Sequence, residues 1–137
     1  MKFARLVFTC ACLFSALLLQ TQAHAQGQST NRVFELRTYT THAGKLDDLL
    51  ARFRNHTTKL FEKHGMTNVG YLVPSEQPNT LVYVLAYPSR DVAKQAWDAF
   101  RKDEVWIKAR TASEANGPIV EKVVSVYMNP ADFSAIK

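Results

Sequence analysis

The chain has 137 residues, 47% of them apolar and 21% charged, with a formal net charge of +5 and two cysteines. That length favours a single domain. Basic residues alternate with acids (Lys45 ahead of Asp47 and Asp48, Arg101 and Lys102 ahead of Asp103 and Glu104), so no basic stripe forms and the composition argues against a nucleic-acid partner.

The first 25 residues read as a segment apart. Met1 to Arg5 is a short basic start, Leu6 to Leu19 is a nearly unbroken apolar run, and Ala23-His24-Ala25 is a small-x-small site. This is the pattern of a secretory signal peptide, and the run is shorter than the roughly 20 apolar residues of a bilayer span. Cys10 and Cys12 lie deep inside the run, where neither closes a lipoprotein signal, and the run is too uniformly apolar for a mitochondrial presequence. Cleavage after Ala25 would place the protein in the periplasm or outside the cell with no stable membrane anchor. It would also discard both cysteines, leaving no disulfide, thiol nucleophile or thiolate ligand.

Residues 26–31 are polar and form a flexible lead-in to a domain over 32–137. Arg32 to Thr40 alternates strictly and reads as a strand. Phe34, Leu36 and Thr38 share one face; Val33, Glu35, Arg37 and Tyr39 share the other. From about Ala43 to His64, Leu46, Leu49, Leu50, Phe53, Thr57, Leu60, Phe61 and His64 recur at helical spacing, and Gly65 stops the helix. Met66 to Pro74 and Thr80 to Pro88 are strands separated by Ser75–Asn79. Ser89 caps a helix carrying Val92, Ala93, Ala96, Trp97 and Phe100; Asp103 caps another that ends at Asn116-Gly117-Pro118. Ile119 to Met128 is the last strand, followed by a tail containing Phe133.

The order β-α-β-β-α-α-β matches an α+β, ferredoxin-like split β-α-β sandwich with a four-stranded antiparallel sheet. Leu81 to Tyr87 and Ile119 to Met128 are apolar on both faces, whereas helices can cover only one. The simplest second cover is the sheet of another copy, which predicts a homodimer.

Four segments in order resemble the NIPSNAP family: Val33–Tyr39; Phe61–Met66 with Val69-Gly70-Tyr71; Ala96–Phe100 with Asp103 and Trp106; and Pro130–Ser134. Val105 and Ala131 stand where that family often has proline and threonine. The resemblance implies a dimeric α+β barrel and no defining reaction. The organelle role of the family's animal members does not transfer to a chain that reads as exported.

With Phe34 and Leu36 directed at the helices, Glu35, Arg37 and Tyr39 would line the space between two sheets. As a pocket, Arg37 anchors an anionic or carbonyl oxygen, Glu35 serves as a base and Tyr39 donates a hydrogen bond. As structure, Glu35 and Arg37 pair and fix the dimer register. His64, Tyr71, Trp97 and Trp106 complete the candidate ligand-binding set, with packing the competing role for both tryptophans and dipole-favoured local bonding the one for His64. His42 and His56 belong to a turn and a rim. The histidines show no metal-ligand spacing, and no phosphate loop or nucleophile elbow is present, so no metal, cofactor or catalytic residue is assigned. Two functions fit this pattern: a domain that binds a small, partly apolar molecule or acts as an interaction module, and a cofactor-free enzyme of monooxygenase or isomerase type.

Overall fold

A computed structural model describes residues 32–137. The signal-peptide and lead-in expectations fall outside the described residues. Strands β1 (Val33–Thr41), β2 (Thr67–Leu72), β3 (Thr80–Tyr87) and β4 (Val120–Met128) form one antiparallel sheet in the order β2-β3-β1-β4. This is the split arrangement expected from the element order.

The long helix runs from Leu46 to Lys63 in three parts: α1 (Leu46–Arg52), a π-helical turn (Phe53–Thr57) and α2 (Thr58–Lys63). Two adjacent threonines support the wide turn. Thr57 Oγ1 donates to the Arg52 carbonyl and Thr58 Oγ1 to the Phe53 carbonyl, each five residues back and each at 3.3 Å. Helical spacing cannot reveal such a turn, because the apolar stripe runs through it unbroken. Gly65 ends the helix with φ 77°, which lets its N–H reach the Glu62 carbonyl and the Met66 N–H reach the Phe61 carbonyl. This paired C-terminal motif depends on a left-handed residue, which glycine adopts without strain.

Helix α3 (Arg90–Lys102) is capped by the Ser89 hydroxyl, which accepts from the Val92 N–H. Helix α4 (Glu104–Ser113) is capped by Asp103, whose Oδ1 accepts from the Val105 and Trp106 N–H groups. All helices of the described residues lie on one sheet face. There Leu81, Tyr83, Leu85 and Tyr87 are buried against Leu49, Phe53, Phe61, Trp97 and Phe100. Edge-on contacts tie this aromatic core together, with Phe61 5.3 Å from Trp97 and Phe53 5.1 Å from Tyr83.

The faces of β1 are the reverse of the expectation. Glu35, Arg37 and Tyr39 pair across to Leu85, Tyr83 and Leu81, so they point at the helices; Phe34 and Leu36 pair with Ala86 and Val84 on the other face. Alternation alone assigns the apolar face to the core. Here the polar face is inside because partners on distant elements satisfy it. The helix-free face carries Leu36, Leu72, Val82, Val84, Val124 and Val126, with Leu72, Val124 and Val126 exposed at 65%, 42% and 49%. At one end of it Phe34, Val84 and Met128 line a cavity of about 310 Å³ with the tail residues Phe133 and Ile136, and Phe133 remains 90% exposed.

Candidate functional site

Glu35 is 1% exposed and organises the centre of the helix-side face. Its Oε1 accepts from Arg37 Nη1 and Ser125 Oγ, both at 2.6 Å, and its Oε2 accepts from the Tyr87 hydroxyl and the Trp97 indole, both at 2.7 Å. Burial raises the pKa of this carboxyl. The donors from Ser125, Tyr87, Trp97 and Arg37 outweigh burial and hold it below the ordinary carboxylate value. With four donors on its two oxygens, Glu35 has no free lone pair suited to proton abstraction.

Arg37 is fixed by that carboxylate and by the face of Trp97, 4.2 Å from the guanidinium carbon. Its Nη2 lies 3.4 Å from the Tyr39 hydroxyl, and its Nε is buried with no partner among the described residues. Burial works against its charge, but the Tyr39, Tyr83 and Glu35 oxygens more than compensate and raise its pKa. Tyr83 packs against Tyr39 at 5.3 Å; its hydroxyl is buried without a partner among the described residues, and burial lifts its pKa well above the usual phenol value. Arg37 is therefore held cationic and the Tyr83 phenol neutral.

Two cavities lie along β4, the sheet-edge strand that the helices leave uncovered. One, of about 290 Å³, is bounded by Tyr39, Phe53, Phe61, Phe100 and Trp106, by Arg52 and Arg110 paired with Glu114, and by β4 residues Val120 to Val123. The π-helical turn forms part of its roof, through Phe53 and Thr57. The other, of about 500 Å³, is a more open cleft lined by Glu35, Arg37, Trp97, Ser125 and Tyr127, with Arg90, Asp91, Lys94 and Arg101 from α3.

The structure thus divides the seven candidate residues. Tyr39 and Trp106 line the smaller pocket, and Glu35, Arg37 and Trp97 line the cleft. Neither cavity includes His64 or Tyr71. His64 Nε2 is 2.8 Å from Asp103 Oδ2, and Lys63 Nζ donates to the same oxygen at 2.6 Å. These contacts join the end of α2 to the cap of α4, and the bonds from Lys63 and His64 depress the Asp103 pKa. Tyr71 stacks on Tyr83 at 5.5 Å and donates to Asn68 Oδ1; burial raises its pKa.

Local patterns did not single out Tyr87, Ser125, Arg90 and Lys94. Ser125 left a trace, as the one small polar residue in the run Val123-Val124-Ser125-Val126. Arg90, Lys94 and Arg101 keep helical spacing with Trp97, a sign that they share its side of α3. Among the described residues, no three His, Cys, Asp or Glu side chains gather where they could hold a metal ion, and no helix is long and apolar enough to cross a membrane.

The topology and the helix-side cavities define a ferredoxin-like α+β domain. Residues 34–135 match the NIPSNAP family model, and the chain belongs to the NIPSNAP family. It is similar to a NIPSNAP family protein of unknown function from Agrobacterium tumefaciens, with 21% identity, 80% of this chain and 96% of that chain covered, and a TM-score of 0.69. A NIPSNAP-like domain protein from Burkholderia xenovorans is similar at 13% identity, with 77% and 90% covered and a TM-score of 0.68. A mutant of SnoaB, a cofactor-independent oxygenase from Streptomyces nogalater, is similar at 15% identity, with 78% and 99% covered and a TM-score of 0.55. At these identities the likeness establishes the fold. No curated protein matches the chain.

Proposed function

We propose that the chain is an exported homodimer that holds a small, partly apolar molecule between β4 and the helices. The observation carrying this reading is the aromatic pocket of about 290 Å³ over Tyr39 and under Trp106. Its volume is near the lower end of ordinary small-molecule sites, and it combines aromatic walls with a few fixed polar groups. The apolar helix-free face supports the homodimer, because a second copy would shelter Val124, Val126 and Leu72. The basic start, apolar run and Ala23-His24-Ala25 site support export.

The cofactor-independent oxygenase SnoaB shares the fold, which keeps a cofactor-free enzyme as the second reading. The chemistry at Glu35 favours binding instead. Its lone pairs are occupied and its pKa is lowered, so the expected base has no proton-accepting role.

Native mass spectrometry of protein recovered from the exported fraction of its own host tests the proposal. The expected species is a dimer whose chains begin at Gln26 and which carries a small-molecule mass. Val123 is 42% exposed at the pocket's β4 wall, so Val123→Trp fills the cavity from outside the core. That variant should stay folded and lose the bound mass. A variant that keeps it, or a native protein that carries none, sinks the binding reading.

A further inference from the structure

The two cavities are successive stations of one groove. Tyr39 pairs with Val123, and Arg37, two residues away on the same face, pairs with Ser125. Tyr39 and Val123 line the aromatic pocket; Arg37 and Ser125 line the open cleft. Two residues along a strand span about 7 Å, so the floors of the two cavities adjoin.

Their chemistry differs. The first sets Phe53, Phe61, Phe100 and Trp106 against a charged rim in which Glu114 holds both Arg52 and Arg110 and β4 adds Glu121 and Lys122. The second has four cations, Arg37, Arg90, Lys94 and Arg101, against two acids, Glu35 and Asp91. Glu35 is saturated by its four donors, and Arg101 is held by Asp98 at 2.6 Å. Arg90 and Lys94 make no ion pair among the described residues. Arg90 lies over the Tyr127 ring, 3.4 Å from its centroid, while Lys94 stands one helical turn further along α3. Arg37, fixed by Glu35 and Trp97 between the two chambers, has its Nε buried but keeps 16% of its side chain exposed, so it places positive charge at their junction. Arg37 and Arg90, preset by these contacts, favour an anion, since little of their side-chain freedom remains to be lost on binding.

We propose that the ligand is an anionic amphiphile: a flat apolar body in the Trp106 pocket joined by a short tether to a carboxylate or similar anion, which sits among Arg37, Arg90 and Lys94. This rests on the binding reading above and adds the charge and shape of the molecule. The groove is on the helix side of the sheet, so pairing of the opposite faces of two copies leaves it open.

The chain has two tryptophans, and one stands in each chamber. Their indole N–H signals in a ¹⁵N-correlated NMR spectrum therefore report the chambers separately. The full processed chain is titrated with 4-phenylbutyrate and with its neutral isostere 4-phenylbutyramide, at low salt. Both should shift the Trp106 indole, the carboxylate alone should strongly shift Trp97, and the carboxylate should bind about tenfold tighter, the scale of one charge-assisted hydrogen bond. Arg90→Gln combined with Lys94→Gln should bring that ratio close to one. These positions are preferred to Arg37, whose loss would leave Glu35 buried and unneutralised.

Equal affinities of the two probes, or a carboxylate preference that survives the double substitution, overturns the anionic-end proposal and leaves apolar binding standing. Failure of both probes to move either indole at millimolar concentration removes the groove as a site of any kind, and both proposals fall.

Discussion

Glu35 shows how a charged side chain can belong to a core. Full burial of a carboxylate is costly unless every lone pair is engaged, and here four donors from four elements converge on it. Glu35→Gln keeps the shape but leaves Arg37 without its counter-charge, and should lower unfolding free energy by about 3–5 kcal/mol at pH 7. Urea titrations across pH test the electrostatic origin. The folded-state pKa is lowered, so this stabilisation is complete above the ordinary glutamate value of about 4.3 and fades as pH falls through the folded value. The curves of the two proteins should converge in acid; a gap independent of pH would mean that packing accounts for the loss. The alternation of β1 was legible in the sequence, but not which face was internal. Glu35 looks like a solvent residue until Tyr87, Trp97 and Ser125, placed 52, 62 and 90 residues away, are brought to it.

Element boundaries were legible wherever a local signal fixes them. Ser89 and Asp103 cap helices as their side chains predict, and Gly65 stops α2. Gly65→Ala would meet no neighbouring atom, so its cost comes from the backbone alone: about 1 kcal/mol for a left-handed alanine, read from the thermal midpoint. A larger loss would show that the position is packed. The π-helical turn had no local signature, because its threonines sit at ordinary helical spacing and the five-residue reach of their hydroxyls is a property of the folded helix. Thr57 is 1% exposed, so Thr57→Val removes its hydroxyl bond at nearly constant volume and should cost about 1 kcal/mol. It should also loosen the roof of the Trp106 pocket, seen as faster exchange of the Thr57 and Thr58 amides.

At the scale of the whole molecule, the two-faced apolar character of β3 and β4 was the clearest message of the sequence. The structure gives it a location: Leu36, Val82, Val84, Val124 and Val126 form a continuous patch that no helix among the described residues covers. A monomer exposing such a patch invites association, and the least demanding partner is the same patch on a second copy. Val124→Asp with Val126→Asp places two carboxylates on the patch without touching the helix-side core or the groove. Sedimentation velocity at micromolar concentration should find the native chain at twice the protomer mass and the doubly substituted chain at the protomer mass. If the protomer is marginal alone, the variant will instead melt at a lower temperature, and the native chain's midpoint will fall on dilution, because association then contributes directly to stability. A native chain that sediments as a folded monomer, with a midpoint independent of concentration, would separate the groove from any barrel. The helix-side site would survive and the homodimer would not.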